Sequence, residues 1–211
     1  GEEREKINLT DRDSRFMKER KGVITPSYNC QVAVVEGQVI VGVDAVVEEN
    51  DRKQLVPMVE QAEANVAGGV KEVIADSGYA SYDNYEYLST HQKTGYIPDQ
   101  YFEKMKHGDY QSLENKYHKE NFRYDGERDV YICPEGKELR FYKERDSDEG
   151  VIPRKQWIYK GEDCVHCSVS AQCSKAKYRT IAREKREPLQ EDVRRRLLSE
   201  EGKEKYKKRL Y

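Results

Sequence analysis

The chain has 211 residues, 37% of them charged, where an average soluble domain carries about 25%. No run approaches the roughly 18 apolar residues that a membrane-spanning helix needs. No internal period falls in the 20–50 residue range of repeat solenoids, and no signal peptide is visible in the charged first twenty residues. A net charge of −2 hides an asymmetry: residues 174–211 hold 14 Lys/Arg against 7 Asp/Glu, a net of +7, and the remainder is net −9.

That length suits one domain or two small ones. Starting at Gly1 and ending at Tyr211 inside a charged helical pattern, the chain reads as a fragment of something longer. Residues 1–21 are polar and expected to be irregular. Residues 28–35 (YNCQVAVV) and 39–47 (VIVGVDAVV) are β-branched runs joined by Glu36-Gly37-Gln38. A loop that short permits only an antiparallel hairpin. Asn50-Asp51 then caps a helix over residues 51–66, with acids early and apolar residues at helical spacing. Pro57 kinks that helix or delays its start, and Gly68-Gly69 breaks it.

A short strand follows over residues 70–75 (VKEVIA), then a helix over 81–92 capped by Ser81, then a strand over 94–98 (TGYIP). Strands alternating with helices predict an α/β fold whose sheet contains parallel pairing. From residue 100 the character changes. Residues 101–120, with His107 and His118, read as a Lys-rich excursion. Residues 122–133 form a hairpin around Asp125-Gly126, and 138–143 and 155–160 are further strands. Residues 176–184 return as strand or turn, and 188–210 are charged helices interrupted near Gly202. The expected organisation is a core over 1–100, a β-rich insertion with clustered cysteines over 101–185, and a basic helical segment over 186–211.

Asp76 directly follows a strand, at the edge where open α/β sheets place their chemistry. Ser77-Gly78 after it lets the backbone bend and leaves the carboxylate outward, which suits a hard-cation ligand. The competing reading is an N-cap for the next helix. Asp44 is a second candidate acid, read more simply as an outward-facing strand residue. Cys164, Cys167 and Cys173 follow C-x2-C-x5-C, with Cys133 thirty-one residues before the first of them. In the cytoplasm, the expected location, these stay thiols, and four thiolates suit tetrahedral zinc, with His166 able to replace one. Free thiols packed as small hydrophobes and disulfides are the alternatives. A zinc would staple an insertion with too little core of its own. Cys30, in a strand, is expected to be buried. Tyr79, Tyr82, Tyr85 and Tyr87 crowd the helix after Asp76, as core residues or as platforms for unpaired bases. The basic residues Arg194, Arg195, Arg196, Lys203, Lys205, Lys207, Lys208 and Arg209 are either phosphate contacts or the solvated face of a helix laced with i,i+4 pairs.

Several stretches together resemble the DDE transposases of bacterial insertion sequences. VIADSGYAS (73–81) resembles their second-aspartate motif. TDRDSRFMK (10–18), SYNCQVAVV (27–35), ENDRKQLVPMVEQ (49–61), CPEGKEL (133–139), the cysteine cluster and RRRLLSEEGKEKYKKR (194–209) are similar to other blocks of one subgroup, in the same order. The likeness covers about residues 8–211. It implies a partial RNase H-like mixed sheet with helices, plus a small β-rich cysteine-containing insertion. It also implies a DNA partner at transposon ends and two Mg²⁺ or Mn²⁺ ions held by three carboxylates. One ion activates a water, or later a 3′-hydroxyl, and the other stabilises the leaving oxygen. Asp76 matches the second of the three acids; the other two belong to blocks outside this chain. The resemblance therefore implies a fragment inactive by itself. Without the strand that bears the first acid, the hairpin keeps an open edge, which predicts a homo-oligomer or a rearranged sheet. The alternative is a non-catalytic DNA-binding or oligomerisation module.

Overall fold

A computed structural model describes residues 7–18, 22–102, 115–147 and 154–210; His107 and the centre of the Lys-rich excursion lie outside them. The chain divides into two compact units, Gly1–Asp99 with Asp192–Tyr211, and Gln100–Glu191.

In the first unit the expected irregular start is corrected from residue 15 on. Arg15–Lys18 (β1) pairs antiparallel with Ile24–Ser27 (β2), in a register that sets Met17 opposite Thr25. Only Met17 of β1 is buried, and one buried residue among charges leaves too little alternation to read as a strand. The predicted hairpin forms from Asn29–Val35 (β3) and Val39–Val46 (β4), with Gly37 at φ 80° in the turn. One of its faces packs under the helix Leu55–Asn65 (α1). There the approach is close enough that a Cβ on Gly42 would stand 2.8 Å from Gln61 Oε1 and 3.1 Å from Met58 Cε. Gln61 accepts from the Val43 N–H at 2.5 Å and Asn65 donates to the Val41 carbonyl at 2.9 Å, so α1 occupies polar groups along β4. The other face bears Cys30, Val32, Val34, Ile40, Val43 and Ala45, all exposed. Cys30 is thus corrected from buried to exposed, because its place in the register turns it away from α1.

A 3-10 turn at Asp51–Lys53 precedes α1. Pro57 is the third residue of the helix, where its missing N–H has no intrahelical partner to lose; it delays the helix and does not kink it. Leu55, Met58, Val59 and Ala62 are the buried stripe. Glu72–Ile74 (β5) and Thr94–Tyr96 (β6) pair in parallel, joined through Tyr82–Thr90 (α2), whose cap is the Ser81 hydroxyl accepting from the Asn84 N–H. Tyr85 and Leu88 of α2 are buried with Tyr96 and Ile97. The expected single sheet is not present among the described residues. β1–β2, β3–β4 and β5–β6 are three separate two-stranded ladders, because no described strand hydrogen-bonds to both the hairpin and the parallel pair.

Two helices close the chain, Glu187–Leu198 (α3) and Glu200–Lys207 (α4). The interruption expected near Gly202 falls at Ser199. Ser199 caps α4 by accepting from the Gly202 N–H at 3.0 Å, and Gly202 is buried inside the helix. Any Cβ there would run into the backbone carbonyl of Arg196.

The second unit is an antiparallel meander of five strands in chain order: Arg123–Asp125 (β7), Val130–Ile132 (β8), Glu138–Ser147 (β9), Arg154–Lys160 (β10) and Thr180–Glu184 (β11). Tyr117, Phe122, Tyr131, Leu139, Tyr159 and Ile181 form its core. The Arg183 guanidinium is buried among them, 3.9 Å over the Tyr124 ring, and held by Glu191 at 2.6 and 2.8 Å. Asp129 accepts from the hydroxyls of Tyr124 at 2.7 Å and Tyr159 at 2.5 Å. Satisfied polar groups of this kind give a small aromatic core a single arrangement.

Gly202→Ala is expected to destabilise the first unit. An exposed helix normally gains up to about 1 kcal/mol from this change. Here overpacking against backbone outweighs that gain, for a net loss of about 1–3 kcal/mol, read as a lowered urea midpoint by circular dichroism.

Candidate functional site

Asp76 stands two residues beyond β5, at the carboxyl end of the parallel pair. Its Oδ1 accepts from the Gly78 N–H at 2.9 Å and so caps the short 3-10 turn Ser77–Tyr79. Capping engages one oxygen. The other, Oδ2, faces the Arg209 guanidinium at 3.5 Å, and the side chain remains 49% exposed. Asp76 thus caps the 3-10 turn and not the next α-helix, whose cap is Ser81, and its carboxylate stays half exposed.

The turn is held from the hairpin side by Asp51. Its Oδ1 accepts from Asn29 Nδ2 at 2.7 Å and from Gln31 Nε2 at 2.8 Å. Gln31, buried on β3, in turn accepts from the Tyr79 hydroxyl. Asn84 of α2 donates to the carbonyls of Tyr79 and Arg52 at 2.6 and 2.8 Å. Gly78 lies between two carboxylates: a Cβ there would be 2.8 Å from Asp51 Oδ2 and 2.9 Å from Asp76 Oδ1. Burial, with Asp51 and then Asp76 nearby, pushes the Tyr79 hydroxyl up to about 12. It therefore stays a proton donor to Gln31 through the neutral range.

Asp51 is the residue that sequence reasoning misplaced. Asn50-Asp51 reads as a helix cap, yet Asn50 makes no side-chain capping bond, and the Asp51 carboxylate serves the hairpin. Asn29 and Gln31, on alternate positions of one strand face, were the available signal. Asp44 is exposed and its carboxylate accepts from the N–H of Ala45. Tyr85 is buried and donates to the Ile97 carbonyl at 3.2 Å, which makes it a core residue, and Tyr87 stacks on His91.

Most of the basic candidates have partners within the first unit. Arg194 grips the buried Asp99 through Nε at 3.0 Å and Nη2 at 2.7 Å. Arg196 donates to the Gly95 carbonyl at 2.7 Å and pairs with Asp192. Lys205 pairs with Glu72, and Arg209 lies near Asp76. Arg195, Lys203 and Lys207 make i,i+3 pairs with Asp192, Glu200 and Glu204. Lys208 is exposed. Exposed pairs are worth about 0–1 kcal/mol and exchange readily for a phosphate, whereas Arg194 would strand a buried carboxylate.

In the second unit Cys133, Cys164, Cys167 and Cys173 line one cavity with Leu139, Gly161 and Arg179, and all four are free thiols. Cys133 sits in a tight turn after β8, where its Sγ accepts from the Lys137 N–H at 3.3 Å. The Cys167 N–H donates to the Cys164 carbonyl at 3.2 Å, folding C-x2-C into a turn. Burial pushes the Cys173 thiol up; Arg179 works against this, and the other three thiols add to it. His166 is exposed. Among the described residues no three or more His, Cys, Asp or Glu side chains are gathered tightly enough to hold a metal ion as they stand. The two carboxylates around Gly78 therefore do not fit a metal pair by themselves.

Against known families, the model described as a transposase DDE domain matches residues 132–211, a span that supports a DDE transposase and does not include Asp76. No curated protein and no solved structure matches the chain.

Asp51→Ala is expected to cost about 1–3 kcal/mol, since it leaves the amides of Asn29 and Gln31 without their acceptor. Amide exchange at Gly78 and Tyr79, measured by NMR, should rise with it.

Proposed function

We propose that this chain is an internal part of a DDE transposase from a bacterial insertion sequence, which with its missing carboxylates cuts and joins DNA strands using Mg²⁺ or Mn²⁺. The observation that carries this reading is Asp76, half exposed at the carboxyl end of a parallel strand pair and held there by a buried polar network. The transposase match over residues 132–211 supports it from a separate part of the sequence. In this reading the first unit belongs to an RNase H-like core, the second is an insertion, and Asp76 supplies one of three metal-binding carboxylates. Arg195, Lys203, Lys207 and Lys208 supply phosphate contacts, because their ammonium or guanidinium groups are exposed or engaged only at the surface. Among the described residues no helix is long and apolar enough to cross a membrane.

Fluorescence anisotropy with a labelled duplex tests the DNA partner. Affinity is expected to fall steeply with salt, as released counterions require. Replacing the four exposed cations by Glu should weaken it at least about tenfold, on the scale of several lost phosphate contacts. Salt-independent or absent binding would overturn the DNA reading. The chain alone is expected not to nick supercoiled plasmid with Mg²⁺ or Mn²⁺, since one carboxylate cannot space two cations. Metal-dependent nicking that disappears in Asp76→Ala would show that expectation wrong.

Self-association is the remaining part of the proposal. The hairpin face of Val32, Val34, Ile40 and Val43 is apolar and open, and such faces mark contact surfaces. Light scattering should give a dimer mass at high concentration and a monomer mass for Val32→Lys with Val43→Lys. A monomer at every concentration in the parent chain counts against it.

A further inference from the structure

We infer that Cys133, Cys164, Cys167 and Cys173 bind one structural zinc ion in the second unit, a site that is independent of the transposase reading and survives its failure. The four are brought to one cavity by three different pieces of backbone: the turn after β8, the 3-10 turn Glu162–His166 with the residue that follows it, and the single helical turn Ser170–Cys173. Gathering four of the chain's five cysteines around one cavity, all unpaired, is the donor set of a closed tetrahedral zinc site.

Local backbone geometry favours the same occupant. The Lys137 N–H already points at Cys133 Sγ at 3.3 Å, the kind of bond that orients a sulfur and stabilises it as a thiolate. Gly161 lies against Cys164, where a Cβ would stand 2.7 Å from the sulfur, so this glycine leaves the thiol room. Four thiolates around Zn²⁺ carry a net charge of −2, and the Arg179 guanidinium lines the cavity beside them. Arg179 Nε is buried with no hydrogen-bond partner, although Nη2 is held by the Tyr117 carbonyl at 3.1 Å. A donor so placed finds its acceptor in a thiolate.

The thiols surround the cavity and do not yet share one point. Loading draws each sulfur to about 2.3 Å from the ion and releases its proton. No electron moves, so no oxidant is required. The benefit is structural. Cys133 follows β8, and Cys164 and Cys173 follow β10, so one ion ties the carboxyl ends of these two strands to the segment leading into β11. Among the described residues the meander's core cluster has six buried apolar residues, few enough for a metal to decide its stability.

The test is elemental analysis of the full chain purified without chelator from zinc-supplemented cells, together with thiol titration before and after a strong chelator. The expected result is one zinc per chain and one freely reactive thiol, Cys30, rising to five on chelation. Cobalt replacement should give the intense visible bands of a tetrahedral tetrathiolate. Cys164→Ser and Cys173→Ser should lose the metal, while Cys30→Ser and His166→Ala keep it. If the ligand variants fail to fold, the cobalt spectrum and thiol count of the parent chain decide. Zinc below about a tenth per chain with five reactive thiols, a disulfide seen by mass, an iron–sulfur chromophore, or metal lost in His166→Ala would each overturn the inference.

Discussion

The first unit depends on one carboxylate beside the hairpin: Asp51, accepting from Asn29 and Gln31 of β3 at 2.7 and 2.8 Å. Through Gln31 and the hydroxyl of Tyr79 it ties the hairpin to the turn that displays Asp76. An ionised acceptor makes such bonds roughly twice as strong as neutral ones, and burial of Gln31 leaves its amide no water to turn to. The same carboxylate explains Gly78, since a side chain there would collide with both Asp51 and Asp76. Asp76 is therefore presented by a hydrogen-bonded turn, with one oxygen committed and one toward Arg209.

The second unit solves a different problem. Its sheet is a simple meander with aromatic side chains in the core and the buried guanidinium of Arg183 among them, satisfied by Glu191 and stacked on Tyr124. A group so placed contributes specificity of packing more than net stability. The cysteine cavity is lined on its other sides by Leu139, Gly161 and Arg179.

The charge asymmetry also takes a different meaning in three dimensions. The basic segment is neither a free polycation nor a purely solvated helix. Arg194 and Arg196 are structural, bound to Asp99 and to the Gly95 carbonyl, while Arg195, Lys203, Lys207 and Lys208 remain at the surface. Replacing the first pair and replacing the second group perturb different things, stability in one case and ionic contacts in the other.

Local features were legible from the amino-acid sequence. The β3–β4 hairpin and the Ser81 cap depend on residues close to one another in the chain, where periodicity and backbone restrictions act directly, and the strand–helix–strand order around α2 implied its parallel pair. Legibility failed where partners are distant. Gln31 and Tyr79 are 48 positions apart, and nothing in the spacing of Asn50-Asp51 distinguishes a cap from an acceptor for strand amides. The break between α3 and α4 is expected near Gly202 and falls at Ser199, while Gly202 itself is fixed by the Arg196 carbonyl pressed against it. The sequence by itself determined most of the strands and helices, β1 and β2 excepted, and the residue types available for chemistry. Only the tertiary structure decided which of those residues meet, because side-chain juxtaposition follows from packing between segments and leaves no period in the chain.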